Sequence, residues 1–323
     1  MNILKKHILS LDLDSEIQRI VDFMKTYLRT VARRRGYVIA ISGGIDSSVC
    51  AALAVRAVGP RRVVSLSLPE ADSSSGGGDR SSLLAQHLGI EYKIESITAS
   101  LEALGCYRWR DEAIREIFPN YDEHWKNKIV IDGGLQGQYN RFKLVVEDPD
   151  GQQFSQRMEY HQYLQIVAAT NYKQRIRKTV EYFHADRLNY AVVGTPNLLE
   201  YDQGFFVKNG DGSADIKPIA HLYKSQVYAM ARHLGLPEPI CDAVPTTDTY
   251  SLAQGQDEFY FALPYQQMDV ALWAYRNGLP ASELSGELGI SVERAQLVYR
   301  DIEAKRRMTE YLVMDPASLE PVQ

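Results

Sequence analysis

Ser42-Gly43-Gly44-Ile45-Asp46-Ser47-Ser48 lies between two apolar runs, Tyr37–Ile41 and Val49–Val58. The first run reads as a buried strand and the second as a helix, so the stretch between them is a strand-to-helix turn. Two glycines let the backbone come close to an anion. The unpaired N–H groups and the positive end of the helix dipole attract negative charge. Ser42, Ser47 and Ser48 add hydroxyl donors, and Asp46 offers a hard oxygen of the kind that holds magnesium. The pattern G-x-x-x-x-G-K-[ST] is absent, so this is not the phosphate loop that relies on its own lysine.

Outward from this turn, helical and extended patterns alternate. Ile17, Ile20, Val21, Met24 and Leu28 keep helical spacing over about 14–34, with Asp14 or Ser15 as the expected cap. Arg62–Leu68 reads as a second strand, about 80–88 as a helix stopped by Gly89, and Ile90–Ile97 as a third strand. Residues 107–127 read as helical. Phe142–Met158 reads as a β-hairpin turning at Asp148-Pro149-Asp150-Gly151. A long helix is expected over about 159–184, a strand at Tyr190–Val193, a Gly- and Asp-rich loop over 204–221, and a helix over Tyr223–Leu234. The order predicts an α/β fold: a Rossmann-like, doubly wound parallel sheet with helices on both faces. One domain spans 1–323, with an insertion at about 107–159 and a helical C-terminal region at about 257–312.

Composition narrows the class. The 323 residues carry 36 Lys and Arg against 41 Asp and Glu, a net charge of −5. That balance makes no electrostatic case for a nucleic-acid partner. Ala281–Met308 has the outline of a helix-turn-helix with Gly289 at its turn, but the acidic chain weighs against DNA reading. Cys50, Cys106 and Cys241 are sparse and far apart, as in reduced cytoplasmic proteins. No segment has the apolar length of a membrane span or a signal core, so a cytoplasmic protein without a membrane partner is expected.

The order S-G-G-x-D-S resembles the pyrophosphate loop of the ATP pyrophosphatases. Four further segments sharpen the resemblance: Asn171–Arg177 (NYKQRIR), Gly194–Glu200 (GTPNLLE), Gly204–Pro218 (GFFVKNGDGSADIKP) followed by Leu222-Tyr223-Lys224, and Pro245-Thr246-Thr247-Asp248. In this order they are similar to NAD synthetase over about 14–105 and 160–310. The resemblance implies an ammonia-dependent ligase that adenylates the nicotinate carboxylate of deamido-NAD with ATP and then amidates it. It implies that Ser42, Gly43, Gly44, Asp46, Ser47, Ser48, Thr195, Lys224 and Thr246 bind ATP. Asp46 and Glu200 are then the magnesium ligands and, with Lys224, the catalytic set. Arg175, Lys208, Asp215 and Lys305 fall at positions that bind deamido-NAD. The family pattern also implies a homodimer. With no glutaminase segment recognisable, ammonia is expected from solution or from a separate glutaminase.

Two departures bear on the acceptor. The segment between Tyr107 and Glu159 is longer than the family pattern and reads equally as a tolerated surface insertion or as part of acceptor recognition. Ala304 stands before Lys305 where the family has an aromatic ring or a histidine. They keep two other readings open: a related ligase acting on a different carboxylate, and a nucleotide-binding homologue without turnover.

Overall fold

The computed structural model describes residues 9–73, 75–132, 141–245, 250–255, 260–261 and 263–319. Helix α1 (Leu13–Thr26) runs into a π-helical turn, Tyr27–Ala32. Asp12 caps it in place of the expected Asp14 or Ser15. The Asp12 backbone is extended, and its carboxylate accepts from Ser15 N at 3.1 Å and Ser15 Oγ at 2.7 Å.

Three strand–helix units follow: β1 (Tyr37–Ala40) with α2 (Ile45–Val58), β2 (Val63–Ser67) with α3 (Ser75–Leu88), and β3 (Glu91–Ile94) with α4 (Thr98–Ala103). Helix α5 (Cys106–Arg115) leads to a second sheet of β4 (Lys126–Asp132), β5 (Arg141–Glu147) and β6 (Gln153–Arg157). Then come α6 (Tyr160–Leu188), β7 (Ala191–Val192), α7 (Leu198–Gln203), α8 (Lys224–His233) and α9 (Glu238–Cys241). The chain closes with α10 (Tyr265–Arg276), α11 (Ala281–Leu288) and α12 (Val292–Val313). Among the described residues no helix is long and apolar enough to cross a membrane.

The main sheet has the order β3-β2-β1-β7, every pair parallel. Its strands are buried on both faces, which is why they read as continuous apolar runs. Tyr37 and Ile39 pack with α1, α2 and α8, whereas Val38, Val64 and Leu66 pack with α4, α5 and α6. From β1 the chain winds outward to β2 and β3, and β7 is added on the other side of β1. The loops leaving β1 and β7 are therefore neighbours at a point where the winding reverses, the usual place for a ligand crevice in such sheets.

Two expectations change. Residues 107–127 are not one helix: α5 ends at Arg115 and Lys126 already starts β4. The hairpin is real but belongs to an antiparallel three-stranded sheet, β4-β5-β6, in which Ile129 pairs with Leu144. Asn127 and Ile129 point inward with strand periodicity, and Ile129 joins Leu144, Val146, Ile114 and Ile166 in a core of its own. The helix-turn-helix outline is a packing feature: Leu284, Ala295, Val298 and Ile302 are buried in the core shared by α7, α10, α11 and α12.

Candidate functional site

Gly43 has φ 77°, and a Cβ there would meet Gly77 O at 2.6 Å, so the turn after β1 needs glycine twice over. Gly44 is the N-cap of α2 and supplies no side-chain cap, leaving first-turn N–H groups to an anion. The hydroxyls hold the turn from inside. Ser42 Oγ accepts from Gly44 N at 3.3 Å, while Ser47 and Ser48 donate to Gly44 O at 3.1 and 2.8 Å. Arg80 on α3 donates through Nε to Gly43 O at 3.0 Å, which sets a guanidinium against the turn.

Asp46 sits in the first turn of α2, and Glu200 in the first turn of α7, one strand over. The side chain of Asn197, the N-cap of α7, joins them. Its Nδ2 donates to Asp46 Oδ1 at 2.9 Å, and its Oδ1 accepts from Glu200 N at 3.1 Å. Glu200 Oε2 accepts in turn from Asn197 N at 3.2 Å, closing a capping box. Lys224, the first residue of α8, reaches the same point: its Nζ donates to Asp46 Oδ2 and lies 3.7 Å from Glu200 Oε1. Burial works against the Lys224 charge, but the Asp46 and Glu200 carboxylates outweigh it and hold the ammonium well above the usual lysine range.

A cation at a helix N-terminus is unfavourable by itself. Asp269 on α10 offsets it. This fully buried carboxylate accepts from Lys224 N at 3.3 Å, Ser225 N at 2.7 Å and Ser225 Oγ at 2.7 Å. Its pKa is pushed up to about 6 by burial, which exceeds the opposing effect of the Ser225 and Lys224 hydrogen bonds.

The residues expected to bind the acceptor are dispersed. Arg175 is exposed on α6 and donates through Nε to Lys208 O at 3.2 Å. Lys208 Nζ donates to Tyr311 O at 2.8 Å and lies 4.3 Å from the Tyr311 ring, against the end of α12. Asp215 accepts from Val192 N at 2.7 Å and Tyr182 OH at 3.4 Å. Lys305 is turned inward, donating to Asp301 Oδ2 and Tyr260 O at 2.6 Å each. Thr195 is half-buried just after β7, and Thr246 lies outside the described residues.

Residues 16–118 and 136–311 match the NAD synthase family. The chain belongs to this family. It is 54% identical over 316 residues to the NH(3)-dependent NAD(+) synthetase of Rhizobium meliloti, covering 98% of this chain and 94% of that protein. The protein of that name from Mesorhizobium japonicum is 51% identical over 309 residues, 95% of this chain and 97% of its own length. In fold, the chain is similar to the NH3-dependent NAD synthetase of Campylobacter jejuni, with TM-score 0.63, 21% identity, and 96% and 100% of the two chains covered. It is also similar to the NMN synthetase of Francisella tularensis, with TM-score 0.65, 22% identity, and 97% and 99% covered. All of β4 falls in the stretch that the NAD synthase match leaves out, residues 119–135.

Sequence reasoning left three residues of this NAD synthase centre unassigned. Asn197 lies inside the quoted GTPNLLE segment, and the spacing from Asn197 to Glu200 is a readable capping-box signal. Arg80 stands at the expected start of its helix, whereas α3 already begins at Ser75 and brings Arg80 to the turn after β1. Asp269 carries no local signal, because only the packing of α10 on α8 brings it to Lys224.

Proposed function

We propose that this chain forms NAD by joining ammonia to the nicotinate carboxylate of deamido-NAD with ATP, releasing AMP and pyrophosphate. One observation carries the reading: Asp46, Glu200 and Lys224 meet beside an anion-accepting turn, in a chain 54% identical to an NH(3)-dependent NAD(+) synthetase. The turn Ser42–Ser48 receives the pyrophosphate part of ATP, with Thr195 and Thr246 as further ATP contacts. Lys224 stays protonated at neutral pH, so it serves as a fixed cation for phosphate charge and not as a base. Arg80 adds a second cation at the turn. A carboxylate oxygen of deamido-NAD attacks the α-phosphorus, and the bond to the bridging oxygen breaks with loss of pyrophosphate. Ammonia then attacks the acyl carbon of the adenylate, AMP leaves, and a proton is lost to solvent.

Magnesium suits the donor set. Asp46 and Glu200 present hard oxygens that already converge on one cation, the Lys224 ammonium. These two residues would hold the ion, with ATP oxygens and water as the further ligands. The bound ion would supply charge neutralisation on the phosphates. Arg175, Lys208 and Asp215 hold deamido-NAD. Lys305 contributes through α12, which it ties to Tyr260 O. We assign a cytoplasmic homodimer fed with ammonia from solution or from a separate glutaminase.

The full chain, given ATP, magnesium, ammonium and deamido-NAD, should release pyrophosphate and NAD one for one. Pyrophosphate no faster than in the absence of deamido-NAD would reject the reaction, and a different carboxylate that restores it would name the acceptor.

A further inference from the structure

Helix α5 and strand β4 grip the body of the protein on two sides. On the first, Tyr107 OH donates to Glu70 Oε2 at 2.8 Å and Arg110 Nη1 donates to Asp72 Oδ2 at 2.5 Å. Lys173 of α6 completes the cluster, donating to Glu70 Oε1 at 3.1 Å and Asp72 Oδ2 at 2.6 Å. The Glu70 side chain is 0% exposed, that of Lys173 1% and that of Arg110 8%. Burial raises the Asp72 pKa, but the Lys173 and Arg110 charges outweigh it and leave the carboxyl below its usual value. Glu70 and Asp72 open the loop that enters α3. That helix in turn holds the turn after β1, through Arg80 to Gly43 O and through Ser81 Oγ to Ile41 O at 3.0 Å.

On the second side, β4 takes hold of residues 250–254. Asn127 N donates to Ser251 Oγ at 2.9 Å, Leu252 N donates to Asn127 O at 3.1 Å, and Gln254 Nε2 donates to Ile129 O at 2.5 Å. Tyr250 is buried in the core of the second sheet with Ile129, Leu144, Val146 and Ile166. These residues follow Pro245-Thr246-Thr247-Asp248 in the chain with one residue, Thr249, between. A surface decoration would meet the body through solvated side chains. Here the contacts are buried charges and backbone groups, which cost desolvation and in return define position.

We propose that the unit formed by α5 and the second sheet positions the segment that leads into α3, residues 69–73, and the segment that follows Thr246 in sequence, residues 250–254, and thereby sets the affinity for ATP. The proposal rests on the reading that Ser42–Ser48 and Thr246 hold ATP. Tyr107 and Asn127 are positioning residues in it, since neither acts on the nucleotide except through other groups.

The test uses the full chain carrying Tyr107→Phe, Ser251→Ala or both, changes that remove one hydroxyl each and keep the fold's apolar volume. The double variant should bind ATP about tenfold more weakly by calorimetry, with KM for ATP raised in step and KM for deamido-NAD within about twofold of the parent. Asp150→Ala, at the exposed tip of the hairpin, should leave both constants unchanged. Unaltered ATP affinity in the double variant overturns the proposal. So does an equal loss of affinity for both substrates together with a lowered melting temperature, since that is what general loosening produces. Arg110→Lys, which keeps the charge but loses the planar guanidinium that meets Asp72 and Asp111, should weaken ATP binding in the same selective way. An unmodified chain that binds ATP yet makes no NAD would sink the proposed reaction and leave this inference standing on the binding data.

Discussion

Asn197 uses both ends of its amide to hold two acids from helices that follow neighbouring strands, and Lys224 offsets part of their charge from the third side. The three side chains therefore behave as one unit, and single changes should not add. Asp46→Asn and Glu200→Gln should each lower turnover by at least about a hundredfold, roughly 3 kcal/mol of barrier. Both acids lie in first helical turns at loop ends, so circular dichroism should stay native. Near-normal turnover in either variant removes that residue from the chemistry. Asn197→Ala should cost about 1–3 kcal/mol of stability, because it strips partners from buried polar groups. Its kcat should fall less than in the two acid variants, since the acids remain.

Helix α8 depends on α10 for its start. The Asp269 carboxyl titrates near 6, above its ordinary 3.8, so the folded protein holds this proton more tightly than the unfolded chain does. Stability from this group is full below the unfolded value and is lost as pH rises through the folded one. Asp269→Asn abolishes that dependence. Relative to the parent, the variant should gain up to about 3 kcal/mol between about pH 4 and about pH 7. Urea midpoints at several pH values read the effect directly, and a constant difference across the range would show that Asp269 does not titrate there. The strands of the second sheet are bound up with the fold in a similar way. Leu144 and Val146 are fully buried, whereas the turn at Asp150 and Gly151 is exposed and can change without loss of core.

For the molecule as a whole, the governing fact is that the adenylate must meet a neutral amine. Only unprotonated ammonia is nucleophilic, so the total ammonium needed for half-maximal rate should fall as pH rises within the range where the protein stays folded. Purified chain should use ammonium and ignore glutamine. A rate with glutamine matching that with ammonium would contradict this. A second measurement at this scale is the mass in solution, where a single protomer by light scattering would count against the homodimer.

The parts set by local rules were legible in the sequence. Apolar runs and Gly-rich turns located β1, β2, β3, β7 and the turn Ser42–Ser48, because buried parallel strands and anion-binding turns each leave a signature within a few residues. The Asp148–Gly151 turn located β5 and β6 for the same reason. The quoted motifs named Asp46, Glu200 and Lys224. What brought those three together was the strand order, which sets the loops after β1 and β7 side by side. Asp269 at the head of α8, the Glu70–Asp72–Arg110–Lys173 cluster and the hold of β4 on residues 250–254 all join positions far apart in the chain. Lys305 reads as a substrate contact in sequence, and the tertiary structure also gives it Tyr260 O as a partner, 45 positions away in the chain. No spacing rule encodes such contacts. They exist because layers pack, and a buried charge accepts only the partner that packing delivers.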